Sequence, residues 1–125
     1  MKLLLDTHIL LWVMRDAREL KPAARVMIEN ADEVHVSSVT LWEVAIKSAL
    51  GKLPLAPTAL EAAARQAGFI ALPVTWSHVL TLYSLPRLHG DPFDRMLVAQ
   101  AMSEPMHLLT HDARLVAYSP LVKVV

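Results

Sequence analysis

Short apolar runs alternate with stretches of helical spacing along the chain. The apolar runs predict strands at Lys2–Leu5, Glu33–Ser37, Phe69–Val74, His107–Thr110 and Leu121–Val125. The stretches between them predict helices at Ile9–Met14, Ala23–Asn30, Val39–Leu50, Thr58–Ala67, Thr75–Ser84 and Pro92–Ser103. Because helices rather than two-residue turns separate the strands, we expect an α/β fold with a mainly parallel sheet of four to five strands, covered on both faces.

Proline and glycine mark the predicted helix boundaries. Pro22 suits the first position of a helix, and Gly51 suits the position just after one. Thr58 and Glu61 have the spacing of a capping box, which predicts the start of the alanine-rich helix that Gly68 closes. No repeat or long linker interrupts these elements. We therefore expect one domain over residues 1–125.

Four acidic residues stand where a predicted strand ends or where the following helix begins. They are Asp6, Glu43, Asp94 and Asp112. In an open α/β sheet that edge is where ligands bind, and carboxylates converging there repel each other by ~4 kcal/mol per pair at ~4 Å. Such a cluster must take up protons or bind cations. All-oxygen ligation suits Mg²⁺ or Mn²⁺, which predicts phosphoryl or phosphodiester chemistry.

Each acid also has an ordinary structural explanation. Asp6 and Asp112 can cap the segments that follow them, and Thr40 with Glu43 has the spacing of a capping box. Glu43 and Lys47 can form an ion pair along one helix. The apolar neighbours of Glu43 favour a functional role, because a carboxylate among them needs a partner.

The segment from His89 to Arg95 is the densest in polar residues. Asp91 fits the cap position of a helix whose first residue is Pro92. A cap does not explain Asp94, because two acids on one first turn repel unless a positive charge neutralises them. Arg95 or a metal ion can supply that charge.

Other polar and aromatic residues carry less information. Thr7 and Thr110 stand where their hydroxyls can orient neighbouring carboxylates. Trp12, Trp42 and Trp76 occupy apolar helix positions, so we interpret them as core or interface residues rather than platforms for stacked bases. No zinc spacing links the histidines, and most of them are interpreted as structural or surface residues: His8, His35, His78, His89, His107 and His111.

Composition narrows the class of protein. The apolar fraction of 54% and the mean hydropathy of +0.39 suggest that some apolar surface lies in a subunit or partner interface. The chain has no cysteine, which excludes thiolate ligands and favours a cytosolic protein. The 12 basic and 12 acidic residues balance, so the formal net charge is zero and gives no indication of nucleic-acid binding. No apolar run approaches the ~20 residues that cross a membrane.

Four ordered motifs together resemble the PIN-domain family and, more narrowly, the VapC-type toxins of type II toxin–antitoxin systems. The motifs are Leu5-Asp6-Thr7-His8, Ser37-Ser38-Val39-Thr40-Leu41-Trp42-Glu43, His89-Gly90-Asp91-Pro92-Phe93-Asp94-Arg95 and Thr110-His111-Asp112. The resemblance implies a three-layer α/β/α domain that hydrolyses RNA phosphodiester bonds with one or two Mg²⁺ or Mn²⁺ ions. It also implies a homodimer and a small antitoxin protein that covers the site.

The resemblance assigns roles to the acids. Asp6, Glu43, Asp94 and Asp112 match the family's catalytic, metal-binding acids, with Asp6 and Asp94 as the principal ligands. Asp91 belongs to a variant of the third motif and is either a secondary fifth contributor or only a helix cap.

Two other functions compete with this hypothesis. A phosphatase of the haloacid dehalogenase type also begins with a strand that ends in Asp, but it needs a second Asp where this chain has His8. A catalytically idle PIN-like binding module would keep the fold and use the acids only as caps. Retention of all four matched acids argues against that module.

Overall fold

The computed structural model describes residues 1–125. The strands are β1 (Lys2–Leu5), β2 (Glu33–Ser37), β3 (Ile70–Leu72), β4 (His107–Thr110) and β5 (Val122–Val124). The α-helices are α1 (Thr7–Arg15), α2 (Pro22–Asn30), α3 (Ser38–Ala49), α4 (Pro57–Gln66), α5 (Trp76–Ser84) and α6 (Pro92–Ser103), and a 3₁₀ helix covers Ala113–Tyr118. None of the helices combines the length and apolar character needed to cross a bilayer.

The five strands form one parallel sheet in the order β3-β2-β1-β4-β5. In the central strand, Leu3 pairs with Val34 of β2 and Leu4 pairs with Leu108 of β4. The chain runs outward from β1 to β3 and then returns to place β4 on the other side of β1. Strand order therefore reverses between β1 and β4, and open α/β sheets bind ligands beside the carboxyl ends of such strands.

Successive side chains along the strands point to opposite faces of the sheet and pack into two separate cores. Leu4 and Leu108 belong to a cluster that includes Leu97 and Val98 of α6. Leu3 and Leu5 belong to a second cluster on the opposite face, which includes residues of α1, α2, α3 and α4. All three leucines of β1 are fully buried. The helices therefore cover both faces of the sheet, and the predicted three-layer α/β/α fold is confirmed.

Most predicted elements are found with similar bounds, but two predicted capping boxes are wrong. The Thr58–Glu61 capping box is wrong, because α4 begins at Pro57 after Ala56, which makes no side-chain cap. Helix α3 is capped by Ser37, whose hydroxyl accepts from the Val39 N–H at 3.0 Å, so the capping box at Thr40 is also wrong. Both differences move a helix start toward the N-terminus by one to three residues.

Two of the three tryptophans lie on the surface. Trp42 is 61% exposed on α3, and Trp76 is 90% exposed on α5, so a core position is wrong for both. Trp76 forms one exposed stripe with Val79, Leu80 and Tyr83, which we call the α5 apolar face. Their i, i+3, i+4, i+7 spacing places these side chains on one side of the helix. No neighbouring element covers that side.

Candidate metal centre

Asp6 is held rigidly at the carboxyl end of β1. It caps α1, since its Oδ1 accepts from the Ile9 N–H at 2.9 Å. Its Oδ2 accepts from the Thr110 hydroxyl at 2.5 Å, across the boundary between β1 and β4. The side chain is buried, and both oxygens are oriented by donors. The capping role and a ligand role are therefore compatible, because each oxygen has a second lone pair.

Asp91 and Asp94 sit together on the first turn of α6. Asp91 is the cap, and its Oδ1 accepts from the N–H groups of Phe93 at 2.8 Å and Asp94 at 3.1 Å. The Asp94 carboxylate has no hydrogen bond to another residue in the structure and is only 25% exposed. Its nearest basic group is the His89 ring, whose Nε2 lies 3.8 Å from Oδ2. Asp94 is therefore the acid with the least compensation from the protein itself.

Asp112 follows β4 and is strongly compensated. Arg114 forms a bidentate ion pair with it, in which Nε donates to Oδ1 at 3.0 Å and Nη2 donates to Oδ2 at 2.8 Å. Oδ1 also accepts from the Arg114 N–H, so Asp112 caps the 3₁₀ helix as well. The Thr110 hydroxyl accepts from the Asp112 N–H at 3.0 Å. Thr110 thus joins the segments that carry Asp6 and Asp112.

His89 lies among these acids. Its Nε2 is 2.9 Å from Oδ2 of Asp112, and its Nδ1 accepts from the Asp91 N–H at 3.0 Å. The interpretation of this histidine as an ordinary structural or surface residue is therefore incomplete. Its place in the His89–Arg95 motif was the available signal, but the sequence does not show that Asp112 lies within reach.

Glu43 is buried on α3, beside the other acids but outside the cleft they line. Its Oε1 accepts from the Thr7 hydroxyl at 2.7 Å, and its Oε2 accepts from Lys47 Nζ at 2.8 Å. The predicted ion pair along α3 is present. Because Thr7 follows Asp6 directly, this hydrogen bond fixes Glu43 relative to the end of β1.

Four acids line one cleft at the carboxyl edge of the sheet. This acid cleft, with a volume of 440 Å³, contains Asp6, Asp91, Asp94 and Asp112. Four other polar or charged side chains complete its walls: His8, His89, His111 and Arg114. Three of the four acids predicted from the sequence thus line one cleft, and the fourth, Glu43, lies outside it.

The pKa values follow from burial and from mutual repulsion. Burial, and then the negative charges of Asp91, Asp6 and Glu43, raise the pKa of Asp94 to about 7, against the opposing effect of His89. Burial also raises the pKa of Asp6, although the Thr110 hydroxyl and the Ile9 N–H act in the opposite direction. Asp94 is therefore partly protonated near neutral pH unless a cation takes the place of the proton.

Asp112 behaves differently from the two acids beside it. The hydrogen bonds from the Arg114 guanidinium hold the pKa of Asp112 well below its usual range, and His89 acts in the same direction. Asp112 is therefore ionised at neutral pH, and its negative charge is paired with the Arg114 guanidinium.

The donor set suits a divalent cation that prefers oxygen. Ligand atoms of His89, Asp94 and Asp112 lie within 4.8 Å of one another, and Asp6 shares the same cleft. No thiolate donor is available, because the chain has no cysteine. Carboxylate oxygens and a partly open cleft, which leaves room for water ligands, fit Mg²⁺ or Mn²⁺.

Comparisons with known proteins agree with this arrangement. The model of the PIN domain family matches residues 3–119. Ribonuclease VapC22 of Mycobacterium tuberculosis (strain ATCC 25618 / H37Rv) is 32% identical over 114 residues, which cover 90% of this chain and 88% of that protein.

Solved structures share the fold at lower identity. A crystal structure of VapBC2 from Rickettsia felis bound to a DNA fragment from their promoter superposes with a TM-score of 0.70 at 13% identity, covering 100% of this chain and 98% of that one. A crystal structure of DNA-bound VapBC from Salmonella typhimurium gives 0.69 at 18% identity, covering 100% and 97%. The family model matches nearly the whole of this chain, and the acids of this chain lie together beside β1 and β4. This chain therefore belongs to the PIN domain family.

Proposed function

We propose that this protein is a divalent-metal-dependent ribonuclease that hydrolyses RNA phosphodiester bonds. The observation that carries the proposal is Asp94, a carboxylate that lies close to other negative charges and accepts no hydrogen bond from the protein. Ionising a carboxylate close to other negative charges costs free energy. Such an arrangement is expected where a metal ion takes the place of the proton. The similarity to Ribonuclease VapC22 supports RNA as the substrate.

Mg²⁺, or alternatively Mn²⁺, is the proposed cofactor. Asp6 and Asp94 would be its principal ligands, Glu43 and Asp112 would complete the set directly or through water, and Asp91 is secondary. When bound, such an ion lowers the pKa of a water ligand and neutralises charge on the phosphoryl oxygens.

The chain's own residues hold these acids in position. Thr110 and the Ile9 N–H fix the Asp6 carboxylate, so that little reorganisation is needed when a ligand arrives. Thr7 and Lys47 fix Glu43 in the same way. His89 and Arg114 orient Asp112. Rigid carboxylates place a cation, and therefore a phosphate, at a defined point of the cleft.

The proposed biological role is the toxin of a type II toxin–antitoxin pair in the cytoplasm. Support comes from the solved relatives, which include a toxin–antitoxin complex from Klebsiella pneumoniae, and from the apolar fraction of the chain. A cognate antitoxin would cover the acid cleft. We also propose a homodimer that packs through the α5 apolar face, because its exposed aromatic and aliphatic side chains have no covering element.

The test is RNA cleavage by purified protein. Mixed structured RNAs are incubated with Mg²⁺ or Mn²⁺, beside an EDTA sample, an Asp94→Asn variant and a Glu29→Gln control on the exposed surface of α2. Cleavage that EDTA and Asp94→Asn abolish, and that Glu29→Gln leaves intact, is the expected result. If the folded protein, free of any co-purified antitoxin, leaves every RNA intact, the idle binding module becomes the better hypothesis.

A further inference from the structure

We propose that His8, Trp12 and His111 form a nucleobase-binding site at the rim of the acid cleft. We call these three residues the aromatic rim. The site would hold a base next to the phosphate that is cut, so the inference rests on the proposed ribonuclease function. It also changes the interpretation of Trp12 from a packing residue to a platform for a stacked base.

The three rings are in contact across two segments of the chain. The ring centroids of His8 and Trp12 are 6.2 Å apart at an interplanar angle of 52°. Those of Trp12 and His111 are 4.9 Å apart at 71°, an edge-to-face arrangement. An edge-to-face contact places the edge of one ring against the face of the other and so fixes their relative orientation. The indole thus supports two imidazoles from α1 and from the turn after β4.

Both imidazoles are available to a ligand. His8 and His111 are exposed, and neither ring hydrogen-bonds to another residue. In contrast, His35, His78 and His89 are each held by a carboxylate. The half-buried Trp12 packs against the second core cluster, and this packing explains why its inner edge is apolar and covered. It does not explain two exposed imidazoles on its outer side.

The aromatic rim lies between the acid cleft and a basic groove. His8 and His111 line the acid cleft itself. On its other side, His8 and Trp12 line a groove of 590 Å³ between α1, α3 and α4. The charged side chains of that groove are all basic, namely Arg15, Lys47 and Lys52. Lys47 is paired with Glu43 and Arg15 with Glu19, but Lys52 makes no ion pair.

This layout suits a single strand of RNA better than a compact ligand. If the scissile phosphate of a strand binds at the acids, the negative charges of the acid cleft repel the next phosphates. The basic groove offers those phosphates a favourable path. The base between these two phosphates then passes over the aromatic rim. Stacking on aromatic rings accepts any base, and the free imidazole nitrogens can hydrogen-bond to its edge.

The experiment measures binding of bases separately from cleavage. Short adenylate, uridylate and cytidylate oligonucleotides, and an abasic oligonucleotide of the same length, are titrated against the Asp94→Asn protein in Mg²⁺ by fluorescence anisotropy. On that background, Trp12→Ala, His8→Ala and His111→Ala are compared with Trp12→Phe, which keeps an aromatic ring. His107→Ala, at the opposite end of β4, is the histidine control. Circular dichroism verifies that each variant is folded.

The expected result is a preference for at least one base-containing oligonucleotide over the abasic one. Trp12→Ala and His111→Ala should reduce that preference by about tenfold or more, whereas Trp12→Phe and His107→Ala should retain it. Because Trp12→Ala can destabilise the core edge, the exposed His111→Ala variant serves as the second, independent probe.

Two outcomes would overturn the site. One is equal affinity for abasic and base-containing strands, and the other is a preference that His111→Ala and folded Trp12→Ala leave unchanged. Failure of the proposed function gives a different result, since the protein with Asp94 intact would then cleave no RNA whatever the affinities.

Discussion

His89 Nε2 lies 2.9 Å from a carboxylate oxygen of Asp112, a residue 23 positions later in the chain. Because Nδ1 of the same ring accepts the Asp91 N–H, the neutral ring carries its proton on Nε2 and donates it to Asp112. The contact ties the start of α6 to the turn after β4. It therefore sets the distance between the two segments that supply Asp94 and Asp112.

Replacing His89 should reduce RNA cleavage without unfolding the protein. We expect His89→Ala to lower the cleavage rate about 10- to 100-fold, the usual effect of removing a residue that orients a metal ligand. His89→Gln, whose amide can still donate to Asp112, should retain more activity than His89→Ala. Equal rates for His89→Ala and the unmodified protein would show that Asp112 needs no such support.

The stability of the metal-free protein should fall as pH rises from about 4 to about 7. The pKa of Asp94 is raised from 3.8 to about 7, so within this window the folded state binds a proton that the unfolded state releases. The stabilisation is complete below the unfolded pKa and is lost as pH rises through the folded one. After allowance for partial exposure, we expect a loss of ~1–3 kcal/mol.

The comparison that isolates this effect is with Asp94→Asn. In EDTA, chemical denaturation at several pH values should show that the variant lacks the decline and is the more stable protein near pH 7. Parallel stability profiles for the two proteins would contradict the raised pKa of Asp94.

Divalent cations should stabilise the protein through the same acids. Mn²⁺ at ~100 times its dissociation constant should add ~2.7 kcal/mol to the free energy of unfolding. Differential scanning fluorimetry across a Mn²⁺ titration measures the effect, with Asp94→Asn as the variant expected to respond weakly and Glu29→Gln as the one expected to respond fully. An unchanged melting temperature in the unmodified protein would argue against the metal centre.

Thr110 should matter more through its hydroxyl than through its shape. Thr110→Val removes the donor to the buried Asp6 carboxylate at nearly constant volume, and we expect a loss of ~1.5–3 kcal/mol in unfolding free energy together with weaker cleavage. Thr110→Ser keeps the hydroxyl and should retain most of both properties. The hydrogen bond would be unimportant if urea denaturation placed the valine variant level with the serine variant.

The α5 apolar face should control self-association. Leu80 is 70% exposed and Tyr83 is 90% exposed, so a charge at either position should cost little in the monomer. We expect Leu80→Glu to convert a dimer into a monomer in size-exclusion chromatography with light scattering. Val26→Glu, at an exposed apolar position on α2, is the matched control. A dimer that persists in Leu80→Glu would place the interface elsewhere.

Local sequence patterns predicted most of the fold, because strand and helix signals act over a few residues. The bounds of β1, β2, β4 and α6 agree with those predicted. The start of α4 was missed because Pro57 takes the first helical position, where its fixed φ is favourable, and so displaces the capping box at Thr58. The strand predicted at Phe69–Val74 shortens to Ile70–Leu72, since fewer of its residues pair with β2.

The site was harder to predict because its contacts are distant in sequence. The positions of Asp6 and Asp112 after strands pointed to a shared edge, and the structure brings them into one cleft. The contact between His89 and Asp112 depends on how a loop crosses the sheet edge, which no local pattern encodes. The exposure of Trp42 and Trp76 was missed for a related reason, since apolar spacing identifies a helix face but not whether another element covers it.

The sheet order also fixes when the cleft can exist during synthesis. Asp6 is made well before its partner Thr110, which lies 104 positions later, and Asp112 and Arg114 follow. A nascent chain that has only β1, β2 and β3 has no wall on the β4 side. Asp6 therefore stays apart from Thr110 and Asp112 until β4 and the turn after it have left the ribosome, which delays any nuclease activity of the nascent chain until that point.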